Sequence, residues 1–89
     1  MEAHLKVTDS NPLHIPLKII GRASELRAEA VAELIAKVLG PQPLGDGVCQ
    51  TKHNGAWISL TFWVTLPDAE AELPLREAIQ KLPGVLTQL

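Results

Sequence analysis

The order of hydrophobic periods predicts an α+β fold, the ferredoxin-like βαββαβ sandwich. Its antiparallel sheet has four strands in order 4-1-3-2, with two helices on one face. Three observations predict it. A period-2 segment, Ile15 to Ile20, stops at Gly21 and gives way to a helical pattern from Ser24 to Leu39. Two further period-2 segments meet at Asn54-Gly55. A second helical stretch then ends near Leu82, ahead of Val85 to Leu89. Such a fold serves enzymes, metal carriers, RNA binders and metabolite sensors alike, so function has to be argued from particular side chains.

Residues 1–13 carry Leu5 and Val7 but break up in Thr8-Asp9-Ser10-Asn11-Pro12. They read as a flexible N-terminal arm ahead of a single domain at 14–89. The first strand alternates Ile15, Leu17 and Ile19 on one face with Pro16, Lys18 and Ile20 on the other. Pro16 has no amide to donate, so the strand must begin near it or leave a ladder position empty. Gly21 ends the strand. Ser24 is placed as the N-cap of the first helix, with Glu25 beside the positive end of its dipole. Val31, Leu34, Ile35 and Val38 recur at i, i+3, i+4 and i+7, the spacing of a buried stripe. Gly40-Pro41 stops the helix.

The stretch Gly40 to Gly47 is a loop. Asn54-Gly55 suits a type I′ hairpin, whose two central residues both need positive φ. Centred there, the turn sets His53 opposite Ala56, Lys52 opposite Trp57, Thr51 opposite Ile58 and Cys49 opposite Leu60. The third strand is the strongest: Ile58, Leu60, Phe62, Val64 and Leu66 face the helices, and Trp57, Ser59, Thr61, Trp63 and Thr65 face away. Asp68 has the form of a helix N-cap, but Pro74 inside a helix would cost about 3 kcal/mol. The second helix is therefore placed from near Ala71, with Pro74 in its first turn. Leu75, Ala78, Ile79 and Leu82 supply its buried stripe, and Pro83-Gly84 end it.

A chain of 89 residues builds one domain with a thin core, to which association would add stability. The net charge of -2 argues against nucleic acid held by phosphate neutralisation, and lysines and arginines are scattered along the chain. One cysteine, Cys49, excludes an internal disulfide and any paired-cysteine metal site. No apolar run approaches the roughly 20 residues of a membrane span. The N-terminus lacks the apolar centre of a signal peptide, so a cytoplasmic protein without a membrane partner is expected.

Three segments carry a family resemblance. Lys18-Ile19-Ile20-Gly21, Gly55-Ala56-Trp57-Ile58-Ser59-Leu60-Thr61, and the ending Leu82-Pro83-Gly84-Val85 through Leu89 resemble the YbeD-like family of small bacterial proteins. That family's pattern is a strand ending in Lys-Val-x-Gly, a Gly-x-Tyr-x-Ser-Val-Ser/Thr strand, and a short closing strand that ends on leucine. The likeness runs from about Pro12 to Leu89. It implies a ferredoxin-like fold similar to the ACT domains that bind amino acids and regulate metabolic enzymes. No activity is established for the family. Trp57 replaces the usual tyrosine and loses its hydroxyl, Asn11 stands where an aromatic often precedes the proline, and Pro74 falls within the second helix.

No catalytic constellation emerges. His4, His14 and His53 share no ligand spacing and Cys49 stands alone, so neither a metal nor another cofactor is expected. Cys49 alternates onto the core face as a small hydrophobe. Asp46, between two glycines, marks a plain turn. Glu25, Glu29 and Glu33, like Glu70, Glu72 and Glu77, form solvated helix faces. An acylphosphatase-like enzyme needs an anion-cradling loop after the first strand, and Gly21-Arg22-Ala23 is too short to make one. No enzyme activity is expected.

Two surfaces remain. On the open sheet face, Trp57 and Trp63 lie beside Lys18, Ile20, Ser59 and Thr61, together with Val48 and Gln50. Exposed tryptophans in one patch mark an interface, for a second copy of the chain or for another partner, unless Leu5, Val7 and Leu13 of the arm fold over them. At the turn after the first strand, Gly21 allows close backbone approach and Arg22 sits near helix amides that attract carboxylates. In ACT-like domains that turn contributes to amino-acid sites at a dimer interface. The reading is a non-enzymatic regulatory domain, a homodimer, that binds a small metabolite or docks on a metabolic enzyme. The alternative is a protein-interaction adaptor that uses the tryptophan face.

Overall fold

The computed structural model describes residues 12–42 and 49–89. Its elements are β1 (Leu13–Arg22), α1 (Ala28–Leu39), β2 (Cys49–Asn54), β3 (Trp57–Leu66), a 3-10 turn (Ala69–Ala71), α2 (Glu72–Gln80) and β4 (Val85–Gln88). The sheet order β2-β3-β1-β4 is the expected one, and all three pairings are antiparallel. Strict alternation along β3 buries Ile58, Leu60, Phe62, Val64 and Leu66. They meet Leu17 and Ile19 of β1, Val31 and Ile35 of α1, and Leu75 and Ile79 of α2 in one cluster. The helices cover that face alone, as a two-layer α+β domain requires.

Several boundaries differ from the expected ones. β1 starts at Leu13, which pairs with Leu66, so this residue belongs to the sheet rather than to an arm. Residues 1–11, including Leu5 and Val7, lie outside the described residues, as do Asp46 and Val48. Pro16 sits inside β1 without breaking a ladder. The Lys18 carbonyl accepts from the Leu89 amide at 2.9 Å, so the nitrogen of Pro16, two residues earlier, faces the same side of β1, past the reach of β4.

Gly21 does not end the strand. It continues the ladder opposite Ile58 and Val85, with a bulge against β4 between Ile20 and Gly21. The helix then starts three residues later than an N-cap at Ser24 would place it. The Glu25 and Leu26 amides both donate to the Arg22 carbonyl, forming a turn, and Leu26 is inserted into the core at 2% exposure. Burial of that leucine outweighs the capping preference of Ser24, and α1 opens behind Arg27 with no side-chain cap. Val38 stays 40% exposed in the last turn of α1, where no further helical turn follows to cover it. Gly40 closes the helix as expected, with φ 85° and its amide on the Ala36 carbonyl at 2.8 Å.

The hairpin also slides. Asn54 pairs with Trp57, His53 with Ile58 and Cys49 with Phe62, so the two-residue loop is Gly55-Ala56. Gly55 alone in that loop has positive φ, at 66°, the requirement of a type II′ turn rather than I′. The pairing moves by two residues, so every side chain keeps its face. At the second helix the expectation holds. Asp68 Oδ1 accepts from the Glu70 amide at 3.0 Å and caps the 3-10 turn. Pro74 occupies the first turn of α2, where no intrahelical amide is lost.

Gly21 is held by contact rather than by conformation. A Cβ there would lie 2.2 Å from the Gly84 carbonyl oxygen and 2.8 Å from Leu26 Cδ2. Gly21→Ala is expected to destabilise the fold by about 3 kcal/mol through overpacking, well beyond the small gain from a stiffer unfolded chain. Urea unfolding of the two proteins side by side measures it, and a variant of unchanged midpoint would remove this contact from the account.

A candidate binding site on the open sheet face

The side of the sheet away from the helices is built in cross-strand rows. Lys18, Thr61 and Gln50 form one row, Ile20, Ser59 and Lys52 the next, and Arg22, Trp57 and Asn54 the third. Thr87 of β4 lies beside Ile20. Lys18, Ile20, Lys52, Trp57, Leu86 and Thr87 line a cavity of about 570 Å³ across this surface. Trp57 is 47% exposed and Leu86 40%, so both offer apolar area to an occupant. Cavities that bind small molecules run from about 300 to 1,000 Å³ and combine apolar walls with a few polar groups.

The two tryptophans do not share a patch. They are six positions apart on one strand, about 20 Å at 3.3 Å per residue. Trp63, 51% exposed, pairs with Pro16, one position beyond the last β2–β3 pair among the described residues. It lines a second cavity of about 450 Å³ with Glu29 and Glu33 of α1 and with Gln42. There the Thr65 amide donates to Gln42 Oε1 at 2.8 Å, and His14 Nδ1 lies 3.0 Å from Thr65 Oγ1. Of the residues expected at the open face, Lys18, Ile20, Trp57 and Ser59 therefore come together. Thr61 shares a row with Lys18 but does not line the cavity, and Trp63 stands apart.

At the other expected surface, the backbone is already engaged. The Arg22 amide donates to the Gly84 carbonyl at 2.9 Å and the Ala23 amide to the Ala56 carbonyl at 2.8 Å. The glycine at 21 serves the approach of Gly84, and neither Gly21 nor Arg22 lines either of the two cavities. The Arg22 side chain is exposed and lies 4.0 Å from Glu25, an ion pair of the weak surface kind. Cys49 packs part-buried against the core, as its alternation implies.

Charge is divided between the layers. Among the described residues every carboxylate belongs to a turn or a helix, and none to a strand. Lys18, Arg22 and Lys52 are all strand residues on the open face. Their separation along the chain hides this grouping, and only the pairing of β1 and β2 with β3 reveals it. Leu86 and Thr87 were also missed by the sequence reading, since a four-residue strand with a bulge has no period long enough to show which side each residue takes, and Asn54 was missed because it was assigned to the hairpin turn.

Residues 10–89 match the family model of DUF493, described as a protein of unknown function. The chain belongs to this family. The YbeD-like resemblance read from its strands points to the same DUF493 family, and the match includes all four strands and both helices. No curated protein and no solved structure matches the chain. Among the described residues no helix is long and apolar enough to cross a membrane.

The exposure of Trp57 is directly measurable in the Trp63→Phe variant, where it is the sole tryptophan. Acrylamide is expected to quench most of its emission. A blue-shifted, quencher-resistant signal would show that something covers this face in the free protein.

Proposed function

We propose that this DUF493 chain is a non-enzymatic regulatory domain that binds a small metabolite in the Trp57 cavity of its open sheet face. One observation carries the reading. A cavity of about 570 Å³ joins a half-exposed tryptophan, two aliphatic side chains and two lysines on a sheet surface that no helix covers. Three strands and the start of a fourth hold those side chains, and strand backbones position a site more rigidly than loops do. The likeness to ACT domains supports a regulatory role in the cytoplasm, exercised within a homodimer or on a metabolic enzyme. Arg22 shares the open face as the cross-strand partner of Trp57 but does not line the cavity, and it adds only positive charge beside it. Three cations in a chain of net charge -2 make a local site rather than a groove that follows a phosphate backbone.

A second reading, a protein-interaction adaptor, is favoured by the spacing of the two tryptophans. Anchors about 20 Å apart on one strand suit an extended partner better than one small molecule.

A thermal-shift screen against amino acids, nucleotides and acyl metabolites separates the two. A ligand at a hundred times its dissociation constant adds about 2.7 kcal/mol, which moves the melting point of so small a domain by about 10 °C or more. Such a shift is expected in the native protein and in Trp63→Ala, and is expected to vanish in Trp57→Ala. Silence across the panel, with a partner protein captured only when both tryptophans are present, would replace the metabolite reading with the adaptor.

A further inference from the structure

Resting on that reading, we infer that the Trp57 cavity selects an organic carboxylate with a compact apolar body. Lys18 comes from β1 and Lys52 from β2, so they stand two strands apart, about 10 Å across the sheet, and one row apart along it, with Thr61 and Ser59 of β3 between the two strands. Both line the same cavity. No strand among the described residues contributes a carboxylate, so the field over this face is positive although the chain as a whole is acidic. A cationic ligand meets repulsion there. A neutral ligand forgoes the two strongest partners the cavity offers.

The apolar part of the assignment follows from the walls. Ile20, Trp57 and Leu86 supply apolar walls, and a bare inorganic anion would leave them in water. Carboxylate is preferred to phosphate because phosphate sites draw on helix N-terminal amides or a planar arginine fork. Neither is among the cavity's lining residues. A second copy seated sheet to sheet would bring two faces of the same positive sign together, and like charge opposes that contact. The occupant is therefore a small free anion rather than this chain.

The test uses the full chain with Trp63→Phe, so that emission reports Trp57, titrated with acid, amide and amine of two skeletons, 3-phenylpropyl and hexyl. The acids are expected to bind about ten-fold tighter than the amides, the amines not at all, and the acid affinity to fall as salt rises. Lys18→Gln and Lys52→Gln are each expected to weaken acid binding about three-fold and together about ten-fold, the range of solvated charge pairs. Both lysines are exposed, so neither change threatens the fold. Lys37→Gln, which removes the same charge from α1, is expected to change nothing. Amides that bind as tightly as acids would overturn the anion assignment while leaving the cavity reading in place, as would acid binding indifferent to both lysine changes. If none of these probes and no member of the metabolite panel perturbs Trp57, both the assignment and the cavity reading fall.

Discussion

The backbone contact between Gly21 and Gly84 closes this fold, and much of the rest depends on it. The Arg22 amide reaches the Gly84 carbonyl at 2.9 Å, which brings the end of β1 against the loop that leads from α2 into β4. Each glycine makes room for the other side. A Cβ on Gly21 would strike the Gly84 carbonyl, and a Cβ on Gly84 would strike the Leu26 nitrogen and the Glu25 side chain. Gly84 also holds φ at 87°, where other residues are strained. That clasp positions Leu26 in the core, delays the start of α1 and aligns β4 beside β1. The bulge that sends both Leu86 and Thr87 toward the open face falls at the same place.

From that closure follows the division of labour between the two faces. The helices bury one side of the sheet, and the strands satisfy their hydrogen bonds among themselves. The other side is left to whatever the strand pairing puts there. Lysines from β1 and β2 meet across β3, a tryptophan stands at the hairpin end, and aliphatic side chains from β1 and β4 fill the remainder. Among the described residues the carboxylates occupy the helices and turns, where water solvates them. A net charge near zero thus conceals two layers of opposite sign.

The legible parts of the sequence were those governed by a local period or a local stop. Alternation through Ile58 to Leu66 was readable because burial of one face demands it, and the stop at Gly40 because a left-handed C-cap favours glycine. Pro74 placed the first turn of α2 for an equally local reason, the amide it lacks. Ser24 misled because its capping preference is worth about 1 kcal/mol, less than the burial of Leu26 two residues later. The hairpin misled in a similar way. Asn54-Gly55 favours one turn type locally, but the ladder along β3 and the negative φ of Ala56 selected the neighbouring one.

By itself the sequence determined the order of elements, most of the core and the faces of β1, β2 and β3, because these follow from periods of two and 3.6 and from glycine and proline geometry. Only the tertiary structure decided which of those residues become neighbours. It separated Trp57 from Trp63 along one strand, brought Lys18 and Lys52 together from positions 34 residues apart, and turned Gly21 from a strand terminator into a packing contact. Proximity across a sheet depends on register and on strand order, and neither is written in any single segment of the chain.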